Sequence, residues 1–295
     1  MTATANPTPL EALSASLQRL VADTTSSLVS VRSHRSASSG FVWKPGLIVT
    51  ADEALADEGE IAVTHEGGKK MSASVVGRDP TTDLALLRAA DPDSRPVRLE
   101  DSVPGTGALV VAVGSREGES VAALGMVASS GPGWRSLRGG DIDARIELDL
   151  APRGHAEGGL ALDAAGRAFG MIVFGPRRRV LAIPARTIAR VATQLETHGR
   201  VARGYLGLAL QPVRLDRQGS VGAMVMSVEA DGPGARAGIR QGDVIHAWGG
   251  QPIRSLHEVL RALGPASVGT TVPVALSRAG ETRAIDLVVG ERPAR

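Results

Sequence analysis

Few residue types in this chain of 295 residues can make or break a covalent bond. There is no cysteine, which excludes thiol nucleophiles, disulfides and thiolate metal sites. Hydrolytic chemistry is then left to a hydroxyl activated by an imidazole, or to carboxyl groups working as acid and base. The chain has six histidines. His34 lies among the first strand-like runs, His65 lies about one strand away from Glu53, and His155 stands two residues before Glu157. No Ser–His combination among them offers an obvious catalytic pair. Carboxylate pairs of the glycosidase kind are conceivable, but aromatics make up only 2% of the chain, too few to stack on sugars.

Charge narrows the classes further. The formal net charge is +2, and the basic residues are nearly all Arg, with Lys only at Lys44, Lys69 and Lys70. Nucleic-acid binding needs bases clustered on one face. The one tight run, Arg177-Arg178-Arg179, is flanked by apolar stretches and reads as a solvated hairpin tip. No stretch of about 18 apolar residues occurs, so no membrane span is expected. The amino terminus shows no basic leader followed by an apolar core, so the expected location is cytoplasmic.

The elements that must position any site follow from spacing. Leu10, Leu13, Leu17, Leu20 and Val21 recur every three or four residues, which predicts a helix from about Pro9 to Ala22. Its apolar stripe must pack on its own body or on another subunit. From Leu28 the pattern becomes short β-type runs punctuated by Gly, Pro and Asp, about a dozen of them, which points to an antiparallel sandwich or barrel. Pro92–Pro104 reads as a connector between two halves. A helix is expected at Ala185–Thr197, stopped by His198-Gly199. A second unit begins near Arg203 with several strands, a Gly/Pro-rich turn (DGPGARAGI) and a helix opened by Ser255, with Glu258 three residues on as a capping-box signature. No internal repeat is visible.

Four stretches carry a resemblance: SSGFVWKPGLIVTA (38–51), VVGRDPTTDLALLR (75–88), LVVAVGS with SVAALGMVASS (109–130), and RGYLGL with GARAGIRQGDVI. In this order and spacing they resemble the HtrA/Deg family. The resemblance covers about residues 28–291. It implies a mainly β fold, a trypsin-like double β-barrel followed by a PDZ domain. The expected division is an N-terminal segment at 1–27, the barrel domain at 28–200 and the PDZ domain at 203–291. It also implies a Ser-His-Asp triad in the cleft between the barrels.

At the triad the chain departs from the family pattern. Where the family has T-N-A-H-V, this sequence reads Thr50-Ala51-Asp52-Glu53-Ala54, so Glu53 stands in the His position. The Asp is present as Asp83. Counted without gaps from Asp149, the nucleophile segment reads Arg153-Gly154-His155-Ala156-Glu157-Gly158-Gly159-Leu160, with Glu157 in the Ser position and His155 at the former oxyanion position. A carboxylate at the base position has a reference pKa near ~4.3, far from the ~6.5 of His. A glutamate at the nucleophile position forms no ordinary acyl-enzyme. No catalytic residues are therefore expected, and the chain reads as a proteolytically inactive relative. The alternatives are an active serine endopeptidase and a cleft whose carboxylates hold a hard cation such as Ca²⁺ or Mg²⁺. The leading expectation for the three carboxylates is an inert salt-bridged cleft, with Arg153 or His155 as the partner; a carboxyl that stays protonated and shared, with the cleft serving as a ligand pocket, is the other. No cofactor and no resident metal are expected.

In the PDZ-like unit, the resemblance implies a carboxylate-binding loop at Tyr205, Leu206, Gly207 and Leu208, flanked by His257, Leu260 and Arg261 on the following helix. The partners so implied are C-terminal peptides or extended segments, together with a homotrimer or a hetero-oligomer with an active protease. Neither nucleic acid nor membrane is expected as a partner.

Overall fold

The computed structural model describes residues 8–34, 36–90, 95–151, 156–176, 179–216 and 220–293. The chain divides into two units, Met1–Val201 and Ala202–Arg295.

The first unit opens with helix α1 (Pro9–Thr25). Thr8 caps it in a complete capping box with Glu11. The helix runs past the expected Ala22 to Thr25, and the hydroxyls of Thr24 and Thr25 donate back to the carbonyls of Leu20 and Val21. Leu17, Leu20 and Val21 pack against the unit's own core. The apolar stripe is thus partly covered from within, while Leu10 and Leu13 stay exposed.

Six strands follow: β1 (Leu28–Ser33), β2 (Ser36–Lys44), β3 (Leu47–Thr50), β4 (Ile61–Thr64), β5 (Lys70–Asp79) and β6 (Leu84–Ala89). They close into a barrel in the order β1-β2-β3-β6-β5-β4. Six more form the second barrel: β7 (Leu109–Arg116), β8 (Glu119–Arg135), β9 (Asp141–Asp149), β10 (Leu160–Asp163), β11 (Ala168–Gly175) and β12 (Arg179–Pro184). Started from β7, that barrel reads β7-β8-β9-β12-β11-β10, the same pairing order as the first. The repetition lies in topology and has no visible counterpart in sequence. The connector touches both barrels: the Val97 N–H bonds the Val42 carbonyl at 2.8 Å and the Glu100 N–H bonds Ala168 at 2.8 Å. Helix α2 (Ala185–His198) ends as expected, with Gly199 in the left-handed conformation (φ 70°) and its N–H on Leu195.

With few aromatics, the barrels fill with Val, Leu, Ile and Ala. Phe41 and Phe169 are the aromatics buried completely. One core joins the inner faces of both barrels with α2: Phe41, Leu84 and Leu86 meet Val113, Leu160, Met171, Ile183 and Ile188. The two barrels thus share one buried cluster, against which the groups between them are placed.

The second unit contains β13 (Gly204–Tyr205), β14 (Leu208–Arg214), β15 (Val221–Val228), α3 (Pro233–Arg236), β16 (Val244–Trp248), β17 (Gln251–Pro252), α4 (Leu256–Ala262), β18 (Thr271–Arg278), β19 (Glu281–Val288) and β20 (Gly290–Glu291). Its main sheet runs β14-β15-β16-β18-β19, so β14 is an edge strand. Ser255 caps α4 through the Glu258 N–H. The Glu258 carboxylate reaches the Arg254 N–H instead of the cap residue's own, so only half the expected box forms.

Candidate active-site cleft

Asp83 sits at the start of β6, just after a tight turn. The turn is built by the Asp79 carboxylate, which accepts from the Thr81 hydroxyl at 2.6 Å and the Thr82 hydroxyl at 2.7 Å. Asp83 itself adopts φ +57°, a left-handed conformation that Asp tolerates better than most residues. Its carboxylate accepts the backbone N–H of Glu53 at 2.8 Å.

Glu53 is held there by the loop after β3. Arg78, on β5, organises that loop from beneath. Its Nε meets the Asp52 carboxylate at 2.5 Å, and its other nitrogens donate to the carbonyls of Asp52 and Ala56 at 3.2 and 3.1 Å. Asp52 is thereby turned toward Arg78. The Glu53 carboxylate points the other way, into an ion pair with Arg138 at 3.1 Å, both side chains being about half exposed. Arg138 comes from the β8–β9 hairpin tip. That tip is pinned to the Asp83 turn by the Ser136 hydroxyl, which donates to the Thr81 carbonyl at 2.5 Å. Gly140 lies so close to the same carbonyl that no side chain fits.

Glu157 comes from the second barrel. Its carbonyl accepts the Ser39 N–H at 2.7 Å, and the next residue's N–H bonds Ile172 at 2.8 Å. Gly158 has φ +78°, and a Cβ there would collide with the Ser39 carbonyl. Backbone is therefore packed on backbone, which leaves the Glu157 side chain as the group this segment can offer.

Glu53, Asp83 and Glu157 are electrostatically in reach of one another. Burial, more than any other cause, pushes the Asp83 carboxyl up to about 7; the Glu53 N–H pulls it down, and the charges of Glu53, Glu157 and Asp52 push it further up. The Glu157 carboxyl is also raised, first by burial and then by Glu53. No imidazole is among these influences for the described residues. His155 and Arg153 lie outside the described residues. The carboxylates are not gathered as a metal site: among the described residues no group of three or more His, Cys, Asp or Glu is placed to hold an ion. Asp52 and Glu53 instead face guanidiniums.

The cleft beside Glu53 and Asp83 has a volume of about 780 Å³. Ile142, Val173, Leu181 and Ile183 form its floor, with Trp134 and Phe174 at the sides. Trp134 lines this cleft as well as touching the core. Spacing in sequence contained no signal for Arg78 or Arg138, because each meets its carboxylate only after the strands pair.

In the second unit, Tyr205 pairs with Gly290 in β13–β20, and its phenol is pushed up in pKa chiefly by a hydrogen bond to the Glu229 carboxylate. Leu206 is buried and its carbonyl accepts the Gly234 N–H at 2.7 Å. Gly207 has φ +65°, and its carbonyl accepts the Glu229 N–H at 2.9 Å. Leu208 then opens the edge strand β14. On α4, Val259 faces the core while His257, Leu260 and Arg261 are exposed.

Comparison with known proteins gives two family matches: a trypsin-like peptidase domain at residues 38–171 and a PDZ domain at 204–289. A probable periplasmic serine endoprotease, DegP-like, of Rhizobium meliloti is 30% identical over 285 residues, which is 89% of this chain and 55% of the relative. Its counterpart in Pseudomonas fulva is 33% identical over 279 residues, 89% of this chain and 57% of the relative. The chain therefore spans little more than half the length of these relatives. Among solved structures, the serine endoprotease from Yersinia pestis superposes with a TM-score of 0.75 at 25% identity, covering 98% of this chain and 100% of that one. The HtrA-type protease AlgW with decapeptide shares the fold, with a TM-score of 0.74 at 22% identity over 95% of this chain and 99% of its own. These findings overturn the expectation of a cytoplasmic location, since the sequence relatives are named as periplasmic. Folded barrels carry no address, so composition could not supply one. No helix among the described residues is long and apolar enough to cross a membrane.

Proposed function

Because this chain belongs to the HtrA family, with a trypsin-like domain followed by a PDZ domain, we propose that it is a proteolytically silent member that works by binding protein segments, as a regulator, adaptor or chaperone-like partner in the periplasm. The observation that carries this reading is the Glu53 N–H on the Asp83 carboxylate, with the Glu157 carboxyl raised in pKa first by burial and then by the Glu53 charge. Position 53 thus stands where it could orient on Asp83, but it brings a carboxylate and not an imidazole. Proton transfer from a hydroxyl at position 157 to an imidazole at position 53 has neither partner, because both residues are Glu. The expected result with fluorogenic casein is no turnover, and a fluorophosphonate probe should leave no label. Turnover abolished by a point change in one Ser would overturn the proposal. That outcome belongs to the second reading, an active serine endopeptidase of protein quality control, which the names of the relatives favour.

The binding half of the proposal rests on the PDZ unit. Successive N–H groups of Tyr205, Leu206, Gly207 and Leu208 form a nest for a terminal carboxylate, and a peptide adds as a strand along the β14 edge beside His257, Leu260 and Arg261. Gly207→Asp places a Cβ 2.9 Å from the Gly232 Cα in a left-handed backbone. We expect it to weaken binding of C-terminal peptides by about tenfold or more, measured by anisotropy with thermal melts as a folding control. Unchanged affinity would refute the nest. The assembly we propose is a homotrimer, or a hetero-oligomer with an active protease, in which the exposed Leu10 and Leu13 of α1 find cover.

A further inference from the structure

Resting on the reading that the barrel cleft binds without cutting, we propose that it holds an extended acidic polypeptide segment, with a carboxylate side chain between Arg145 and Arg179 and apolar neighbours on the floor. Among the described residues four arginines line this cleft, and their partners are unequal. Arg135 is matched in two-pronged fashion by Asp141 at 2.8 and 3.0 Å. Arg138 is matched by Glu53 at 3.1 Å. Among the described residues, Arg145 on β9 and Arg179 on β12 share one carboxylate, Glu147, at 3.5 Å each. A guanidinium presents five N–H donors in a planar fork, so two of them on one distant carboxylate leave both charge and donors to spare. An incoming carboxylate would complete the fork geometry that Glu147 only approaches.

Size and polarity set the rest of the ligand. About 780 Å³ is the volume of a cleft that takes several side chains, not one. Its floor is aliphatic and its sides carry Trp134 and Phe174. Leu137, 91% exposed, stands beside it on the hairpin tip as a further apolar contact. Apolar residues alternating with Glu or Asp in an extended chain match both features.

The test uses the full chain and short fluorescein-labelled peptides of alternating Leu and Glu, with the carboxyl end amidated so that a PDZ nest has no terminal carboxylate to read. The same peptide with Gln for Glu is the comparison. Anisotropy should show the Glu peptide binding about tenfold tighter than the Gln peptide, with a preference that shrinks at high salt. The double variant Arg145→Gln with Arg179→Gln should lose that preference. Glu147→Gln, which frees both guanidiniums, should tighten the Glu peptide by about threefold. Equal affinity for the two peptides, better binding of a Lys counterpart, or a preference that survives the double variant would overturn the proposal. Cleavage of the peptide, read by mass spectrometry of the same mixtures, would defeat the silent-cleft reading instead, and is told apart because acid preference is read from affinities alone.

Discussion

Asp83→Asn should stabilise the barrel domain at pH 8 by about 2–4 kcal/mol, raising its Tm by about 5–10 °C, while leaving it nearly unchanged at pH 4. The cause is the displaced titration of this carboxyl, to about 7 from an ordinary 3.8. A folded-state pKa above the unfolded one means that the native chain holds a proton the unfolded chain has already released. The contribution is then fully favourable below about pH 4 and is lost progressively up to about pH 7, beyond which it stays constant. Asn has no proton to lose, and its Oδ1 still accepts the Glu53 N–H, so the geometry of the loop survives. Thermal and guanidinium melts of both proteins across this range check the sign as well as the size. A variant that keeps the wild-type slope between pH 4 and pH 7 would show that the strain lies elsewhere. Glu157→Gln should act in the same direction and less than additively with Asp83→Asn, since each neutralisation relieves the other group.

The second large effect is a gain. Glu53→His combined with Glu157→Ser should acquire casein turnover and fluorophosphonate labelling, at least about 100-fold above either single variant, because a triad works as a unit and its members are not additive. The backbone of position 53 already rests on Asp83, which suits an imidazole that must be oriented by that carboxylate. The Gly158 turn already packs against Ser39, which holds position 157 at the same cleft. Changing His155→Gly in addition should raise the rate by about a further tenfold or more, by letting backbone donors turn toward a developing oxyanion. A folded double variant with no activity would remove the idea that positions 53, 83 and 157 share one reaction centre. Equal activity in the single variants would do the same.

Both experiments probe positions found by motif, and the motifs reveal how much was readable beforehand. The GLIVTA and TDLALL stretches single out Glu53 and Asp83 as candidates, and the count from Asp149 singles out Glu157, because short motifs survive as linear strings. Helix ends were legible for the same reason. Gly199 stops α2 through its own backbone freedom, and Ser255 caps α4 through a neighbour three residues away. Where a local rule had competition it slipped: Glu258 turned to Arg254 rather than to Ser255, and α1 ran on to Thr25.

What the residues determined alone was therefore everything carried by neighbours in the chain: strand-rich composition, two modules in order, and the ends of α2 and α4. What tertiary structure decided was everything carried by partners far apart. Closure of two six-stranded barrels with one pairing order brings Arg78 to Asp52 and Arg138 to Glu53. It also buries Asp83 enough to move its proton into the neutral range, and leaves Arg145 and Arg179 to divide one carboxylate. The reason is that desolvation and charge pairing depend on distance in space, which a linear string of residues does not contain.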